Sequence, residues 1–501
     1  MRVYSFLSKC LRILCVFTVG IVFILNFIYS ATISYDAAEK VTIENHLVKS
    51  IFLLFIAAIA LFAISFLKNY IVKIKEKYIF LALSAVYMLM AIYLISNVDH
   101  TLRADALKVS RAARELLAGT GASFEKGGYI YQYPHQIGLM LYDAFLYLFG
   151  ENSVINFYAN FVFVLGINWM IYKITDLIFQ DRLANNIAII MAFAFLPQFF
   201  FILFAYGTIP GLFFILFGFY HALCFCKNHR YLNLALTVAG SCTAVILRKN
   251  YLIGVLAIAI FLCLDMLKQF SFRHLALLVC ISASLILPLK ILPGVFVGGE
   301  SGAPSVLWIA MGTDIHNNVR GPGWYDASNN RIYKASGYSA EISQEKGNEK
   351  LNDNIKEIKS HPLDAYNFFL DKTVSQWCDP LYQSLWSGPL EDCGQYTKTP
   401  LLKSLYTGKS AEDALSNGMK AYMLTFLGLS LVFVLKYHKN HDGWQLCFLM
   451  LIGGFLFYMF WEAKSQYVYP YFFSLIPFAA FSLSKIFIKI LSLANAGAKS
   501  H

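Results

Sequence analysis

The chain has 501 residues, 58% of them hydrophobic and 14% charged, whereas a soluble domain carries roughly 25% charged residues. Apolar runs of about 18 residues or more recur along its length, which excludes a soluble globular fold and marks a polytopic helical membrane protein. The net charge of +11 falls mostly in short loops between apolar runs, so it records positive-inside orientation and not a nucleic-acid partner.

Arg2, Lys9 and Arg12 precede an apolar run at 13–29. That run is long for a signal-peptide core and predicts an uncleaved first span. Further spans are predicted at 50–67 and 78–96, on either side of a loop with Lys68, Lys73, Lys75 and Lys77. Those lysines place the loop in the cytoplasm and residue 98 onward outside. The apolar stretch 136–150 is short for a crossing of roughly 20 residues. Gln136 and Asp143 lie on one helical face with apolar residues on the others, which predicts an interfacial helix. Spans then follow at 155–178, 184–204, 211–225, 232–247, 251–266 and 275–292. A polar segment at 293–417 is followed by spans at 419–435, 446–461 and 467–487. With 136–150 lying flat, Arg182, Lys227, Arg230, Lys268, Arg273, Lys436, Lys439, Lys485 and Lys489 all fall inside. The expectation is therefore an all-α polytopic membrane protein of about twelve transmembrane helices with external juxtamembrane helices. Five regions follow: N-terminal spans at 1–97, an external loop with two juxtamembrane helices at 98–150, central spans at 151–292, a large external loop at 293–417 and C-terminal spans at 418–501. No tandem or inverted repeat of the transporter kind is evident.

Residues 98–150 hold the densest chemistry. Val109, Ala112, Ala113, Leu116 and Leu117 recur at helical spacing, with Lys108, Arg111, Arg114 and Glu115 on the other faces. This is an amphipathic helix suited to a bilayer surface. Gly119 is a natural stop. Asp105 heads it, either as a helix cap or as a catalytic base; the two roles are compatible. Tyr129, Tyr131 and Tyr133 suit an interfacial aromatic belt. Tyr133-Pro134-His135-Gln136 forms a turn into the second surface helix.

Cations at predicted outer span ends break the positive-inside pattern. Arg248 and Lys249 follow the span ending at residue 247, and Lys464 follows Glu462. They suit a phosphate ligand or snorkelling to lipid headgroups. In the late loop, Trp308, Asp314, His316, Arg320, Trp324, Trp377, Asp379 and Trp386 suit sugar stacking or membrane docking. Of the ten cysteines, eight lie in or beside apolar runs and read as small hydrophobes. Cys224 and Cys226 among them are isolated in sequence from other metal ligands. Cys378 and Cys393 fall in the late loop, where a disulfide and two free thiols both stay open. No phosphate loop, zinc-ligand spacing or nucleophile elbow is present.

Asp105, the Ala112-Ala113 helix, Gly119, Tyr133-Pro134-His135-Gln136 and Leu148-Phe149-Gly150 together resemble the GT-C superfamily of integral membrane glycosyltransferases. The branch they resemble contains the protein O-mannosyltransferases and lipid A aminoarabinose transferases. The resemblance implies Asp105 as catalytic base, with Asp99 as the alternative acid, and Arg248 and Lys249 as donor-phosphate ligands. It places Tyr133, His135, Gln136, Thr208, Glu462, Gln466 and Tyr467 near substrate. It implies a polyprenyl-phosphate-linked sugar as donor and a cell-envelope glycan, lipid or protein as acceptor. The site would lie on the outer face of a bacterial cytoplasmic membrane. No cofactor is demanded, and a divalent metal stays open. The competing readings are a transporter or flippase for lipid-linked saccharides and a non-catalytic envelope assembly protein. A transporter calls for ionisable groups deep within spans, whereas Asp176 and Asp265 stand near span ends.

Overall fold

A computed structural model of the chain describes residues 2–150, 152–268, 270–298 and 301–498. Among these, nine helices are long and apolar enough to cross a bilayer. A tenth candidate, Arg182–Ala194 with Leu196–Leu203, is bent by 52°. Pro197 explains the break at Phe195, because it supplies no amide hydrogen to the Phe193 carbonyl and its ring crowds that oxygen. Two further apolar helices, Tyr231–Leu247 and Trp444–Phe460, have 17 residues each, or about 25 Å of rise. Every predicted span is thus helical, and the chain is an all-α polytopic membrane protein.

The lipid-facing helices are patterned inside out. In Leu47–Ser65 the buried residues are Ser50 and Ser65, while Phe52, Phe55 and Ile59 are exposed. Hydrocarbon solvates those apolar side chains as well as a core does, so polar groups turn inward. The best-covered span runs from Tyr469 to Ile490. There Phe481 stacks on Phe179 at 4.2 Å. Short connectors meet at one end of the bundle: Lys485 pairs with Asp181 at 2.7 Å, and Lys268 with Asp442 at 2.6 Å.

The other end carries the loop layer. A hairpin, Tyr29–Ile33 with Val41–Asn45, pairs antiparallel in the register Ala31↔Ile43. The late loop, which reads simply as polar in sequence, folds into helices that include Val306–Thr313, Ser328–Ala335, Ala340–Ser360 and Pro362–Trp377. Ser339 caps the third by accepting from the Ile342 amide at 3.3 Å. The bridge Val98↔Thr397 and the Asp99 N–H to Tyr396 carbonyl bond of 2.9 Å tie the start of the early loop to the late one.

Helix Ile137–Tyr147 has 11 residues, about 16 Å of rise, too short to cross. Its polar face turns toward the protein and its apolar face outward. Gln136 and Asp143 face the protein interior, and Asp143 accepts from Asn156 Nδ2 at 2.7 Å. The outward residues are Phe145, Leu148 and Phe149. A buried amide partner suits a buried carboxyl better than hydrocarbon does. Helix Ala104–Leu117 departs from expectation. Its Val109, Ala112 and Ala113 are covered by Ile130, Ile137 and Met140, so protein and not lipid buries the stripe. Arg103 is the N-cap residue and makes no side-chain cap bond; Asp105 sits in the first turn. The capping role is therefore withdrawn. The disulfide is also overturned, because both cysteines are free. Cys378 is buried against Leu25 and Val374 at the end of a helix, whereas Cys393 is exposed on the turn Glu391–Cys393.

Candidate functional site

At the loop-bearing end an open cleft is lined by Arg103, Asp105, Tyr206, Trp386, Lys464 and Tyr467, among others. Asp105 is half exposed and lies 3.8 Å from Lys108. Its Oδ2 also accepts from the Tyr206 hydroxyl at 3.4 Å. Gln136 Nε2 donates to that same Tyr206 oxygen at 2.7 Å. A chain of hydrogen bonds thus runs from the turn before the second surface helix to the carboxylate that heads the first.

Gly207 makes this turn possible. It has φ of +72°, and a Cβ there would sit 2.4 Å from the Leu247 carbonyl. Only glycine meets both demands. The turn presents Tyr206 and Thr208 to Arg248, whose Nη1 donates to the Tyr206 carbonyl at 3.1 Å and to Thr208 Oγ1. The guanidinium also lies over the rings of Tyr206 and Tyr467, at 5.0 and 5.4 Å. Cation–π contacts of this kind are worth about 0.5–2 kcal/mol each.

Arg248 and Lys249 diverge. Lys249 lines a second cavity of about 510 Å³, together with Pro134, His135, Lys290 and Ser301. Lys290 lies in a π turn, Leu287–Ile291, within the apolar stretch that follows His274 in the span Phe272–Val297. His135 is exposed at the rim of this cavity, where neighbouring protein still crowds its ring beside both cations. That setting first, and then the charges of Lys249 and Arg248, hold its imidazole down at about 3. Arg248 and Lys249, adjacent in sequence, thus have different surroundings: Lys249 lines the second cavity, and Arg248 bonds Tyr206 and Thr208.

Two buried glutamates flank the Asp105 cavity. Glu39, from the hairpin turn, is salt-bridged to Lys464 at 2.7 Å and to Arg320, and Gln383 Nε2 donates to it at 2.7 Å. Burial alone would raise its carboxyl; Lys464 and Arg320 outweigh that and hold it below the ordinary value. Glu462 is 5% exposed and, among the described residues, has neither ion pair nor hydrogen bond. Burial lifts it to about 7 against the pull of Lys464, and the negative fields of Glu39 and Asp105 add to the rise.

Of the other expected residues, Asp99 lines the cavity but spends its Oδ1 on the Thr101 amide and hydroxyl, at 2.7 and 2.6 Å. Gln466 and Tyr467 line it too. Tyr133 bonds Asn330 instead. Trp324 and Trp377 are buried core, whereas Trp386 lies beneath the Arg103 guanidinium at 4.1 Å. Sequence reasoning missed Glu39, Arg103 and Lys290. Only Lys290 left a trace, as an ionisable residue within an apolar run. Comparison with family models, with curated proteins and with solved structures finds no match.

Proposed function

We propose that the chain is a glycosyltransferase of GT-C type that moves a sugar from a polyprenyl-phosphate donor to a cell-envelope glycan, lipid or protein. The observation that carries this reading is the Asp105 carboxylate, open to a cavity at the membrane end of the bundle and held in a Gln136–Tyr206 relay. A carboxylate so placed takes the proton of an acceptor hydroxyl as its oxygen attacks the anomeric carbon, an effect worth about 10²–10⁴-fold. The bond from that carbon to the phosphate oxygen breaks, and the lipid phosphate departs.

Two cavities suit two reactants. The second has apolar walls, with Val245, Ile246 and Leu289, beside the cations Lys249 and Lys290. This combination matches a phosphate on a hydrocarbon tail. Arg248 stands within electrostatic reach of His135, which lines that cavity, and against Tyr206, which lines the other. It is therefore suited to stabilise the departing phosphate. The basic connectors at the far end support a cytoplasmic placement for that end and an external one for the site, as in a bacterial cytoplasmic membrane.

The test compares envelope glycans, glycolipids and glycoproteins by mass spectrometry in cells carrying the native chain or Asp105→Asn. The native chain adds a sugar that the variant fails to add at equal membrane abundance. Full transfer by Asp105→Asn would sink the assignment and turn attention to Asp99.

A further inference from the structure

At the opposite end of the bundle, three potential metal ligands converge from three helices. Cys226 lies near the end of Thr208–Asn228, Asp265 near the end of Leu252–Lys268, and His274 near the start of Phe272–Ser284. Their ligand atoms all lie within 4.8 Å of one another. Thr208, at the other end of the first helix, bonds Arg248. Eighteen residues separate Thr208 from Cys226, about 27 Å of helix rise. The trio is thus remote from Asp105.

His274 supplies the second observation. It is 1% exposed, and neither ring nitrogen has a hydrogen-bond partner. Its Nε2 is 3.1 Å from Asp265 Oδ2 without the alignment of a hydrogen bond. An imidazole buried with Nδ1 unpartnered and Nε2 held only by a misaligned carboxylate contact is costly. A lone pair directed at a shared centre removes that cost. Lys268 lies 3.9 Å from the other Asp265 oxygen and 2.6 Å from Asp442. Such an outer contact orients a ligating carboxylate and leaves Oδ2 for an ion. His229 packs on this trio, its ring 5.3 Å from that of His274 and its Nδ1 buried without a partner, but its nitrogens lie outside the converging ligand atoms.

We infer that Cys226, Asp265 and His274 bind a divalent transition-metal ion, with zinc as the ion their mixed S, O and N donors match. Tetrahedral zinc, with bonds of about 2.0–2.3 Å, spaces its ligand atoms about 3.3–3.7 Å apart. Closing the trio on an ion therefore needs movement on the order of 1 Å. Coordination converts the Cys226 thiol to thiolate and releases its proton to solvent. The ion cross-links three helix ends, a structural role independent of glycosyl transfer.

Cobalt(II) titration of the metal-free, full-length protein in detergent tests this. One equivalent gives a thiolate-to-cobalt charge-transfer band and intense visible bands of tetrahedral type, and zinc displaces both. Cys226→Ser abolishes the charge-transfer band and His274→Ala weakens binding at least about 10-fold, while Cys224→Ser retains both. In case those variants fail to fold, a second measurement uses the native chain: zinc shields Cys226, but not the exposed Cys393, from alkylation read by peptide mass spectrometry. Absence of the charge-transfer band in the native protein, its survival in Cys226→Ser, or alkylation of Cys226 that zinc leaves unchanged would overturn the site.

Discussion

Glu39 and Glu462 are neighbouring buried carboxyls held in opposite protonation regimes. Glu39 is ionised between Lys464 and Arg320. Removing its charge leaves two cations without their partner in a buried setting. Glu39→Gln should therefore lose about 3–5 kcal/mol of stability, read as a lower midpoint of thermal unfolding in detergent. A midpoint unchanged from the native chain would remove the pair from the stability of the loop layer. Glu462 behaves otherwise. Its folded value, about 7, lies above the ordinary 4.5. The folded state thus prefers the protonated form. The resulting stability is complete below about pH 4.5 and is lost as pH rises through 7. Asp143, pushed up to about 8 by burial, adds a loss of the same sign. Glu39 has the reverse sign and is lost only as pH falls through its lowered value. Thermal unfolding followed from pH 5 to pH 8 should show a decline that Glu462→Gln flattens; an identical decline in that variant would exclude Glu462 as its source.

Among elements, the second surface helix is placed by a single close approach. A Cβ on Gly138 would fall 2.0 Å from the Ile246 carbonyl. That backbone contact seats helix Ile137–Tyr147 on helix Tyr231–Leu247 and brings Gln136 to Tyr206. Gly138→Ala should cost about 1–3 kcal/mol and reduce transfer together with stability. Gly150→Ala, where the same group meets open space, should leave both unchanged. Equal effects of the two substitutions would count against the packing argument. The short length of this helix was legible in the chain, since about 15 apolar residues do not span. Its rotation was not. A polar face on an amphipathic helix reads as solvated, but Asn156 offered Asp143 a partner from the neighbouring helix. The hairpin at Tyr29–Asn45 was also missed. Its five-residue strands carry little period-two signal and gain their place by packing on Trp324 and Trp386.

For the whole molecule, orientation is open to a direct check by cysteine labelling. Cys393 is free and exposed on the late loop, whereas Cys378 is free and buried. A charged, membrane-impermeant maleimide added to intact cells should label Cys393 if the loop layer faces outward, and should spare Cys378. Labelling of Cys393 only after the cells are permeabilised would invert the topology and move the Asp105 cavity inside.

Hydrophobic run length determined the spans by itself, because each helix satisfies its own backbone hydrogen bonds and the bilayer sets the minimum length. The stripe on helix Ala104–Leu117 and the position of Asp105 were likewise local. What required the tertiary structure were the contacts between residues far apart in the chain. Lys464 meets Glu39 across 425 positions. Arg248 and Lys249, adjacent in sequence, part where the helix ends at Leu247 and the chain goes extended at Arg248: Lys249 lines the second cavity and Arg248 bonds Tyr206 and Thr208. Cys226, isolated in sequence, acquires Asp265 and His274 only when three helix ends pack side by side. Local propensity carries no information about which side chains a bundle brings together; that is decided by close packing and by the need to partner every buried polar group.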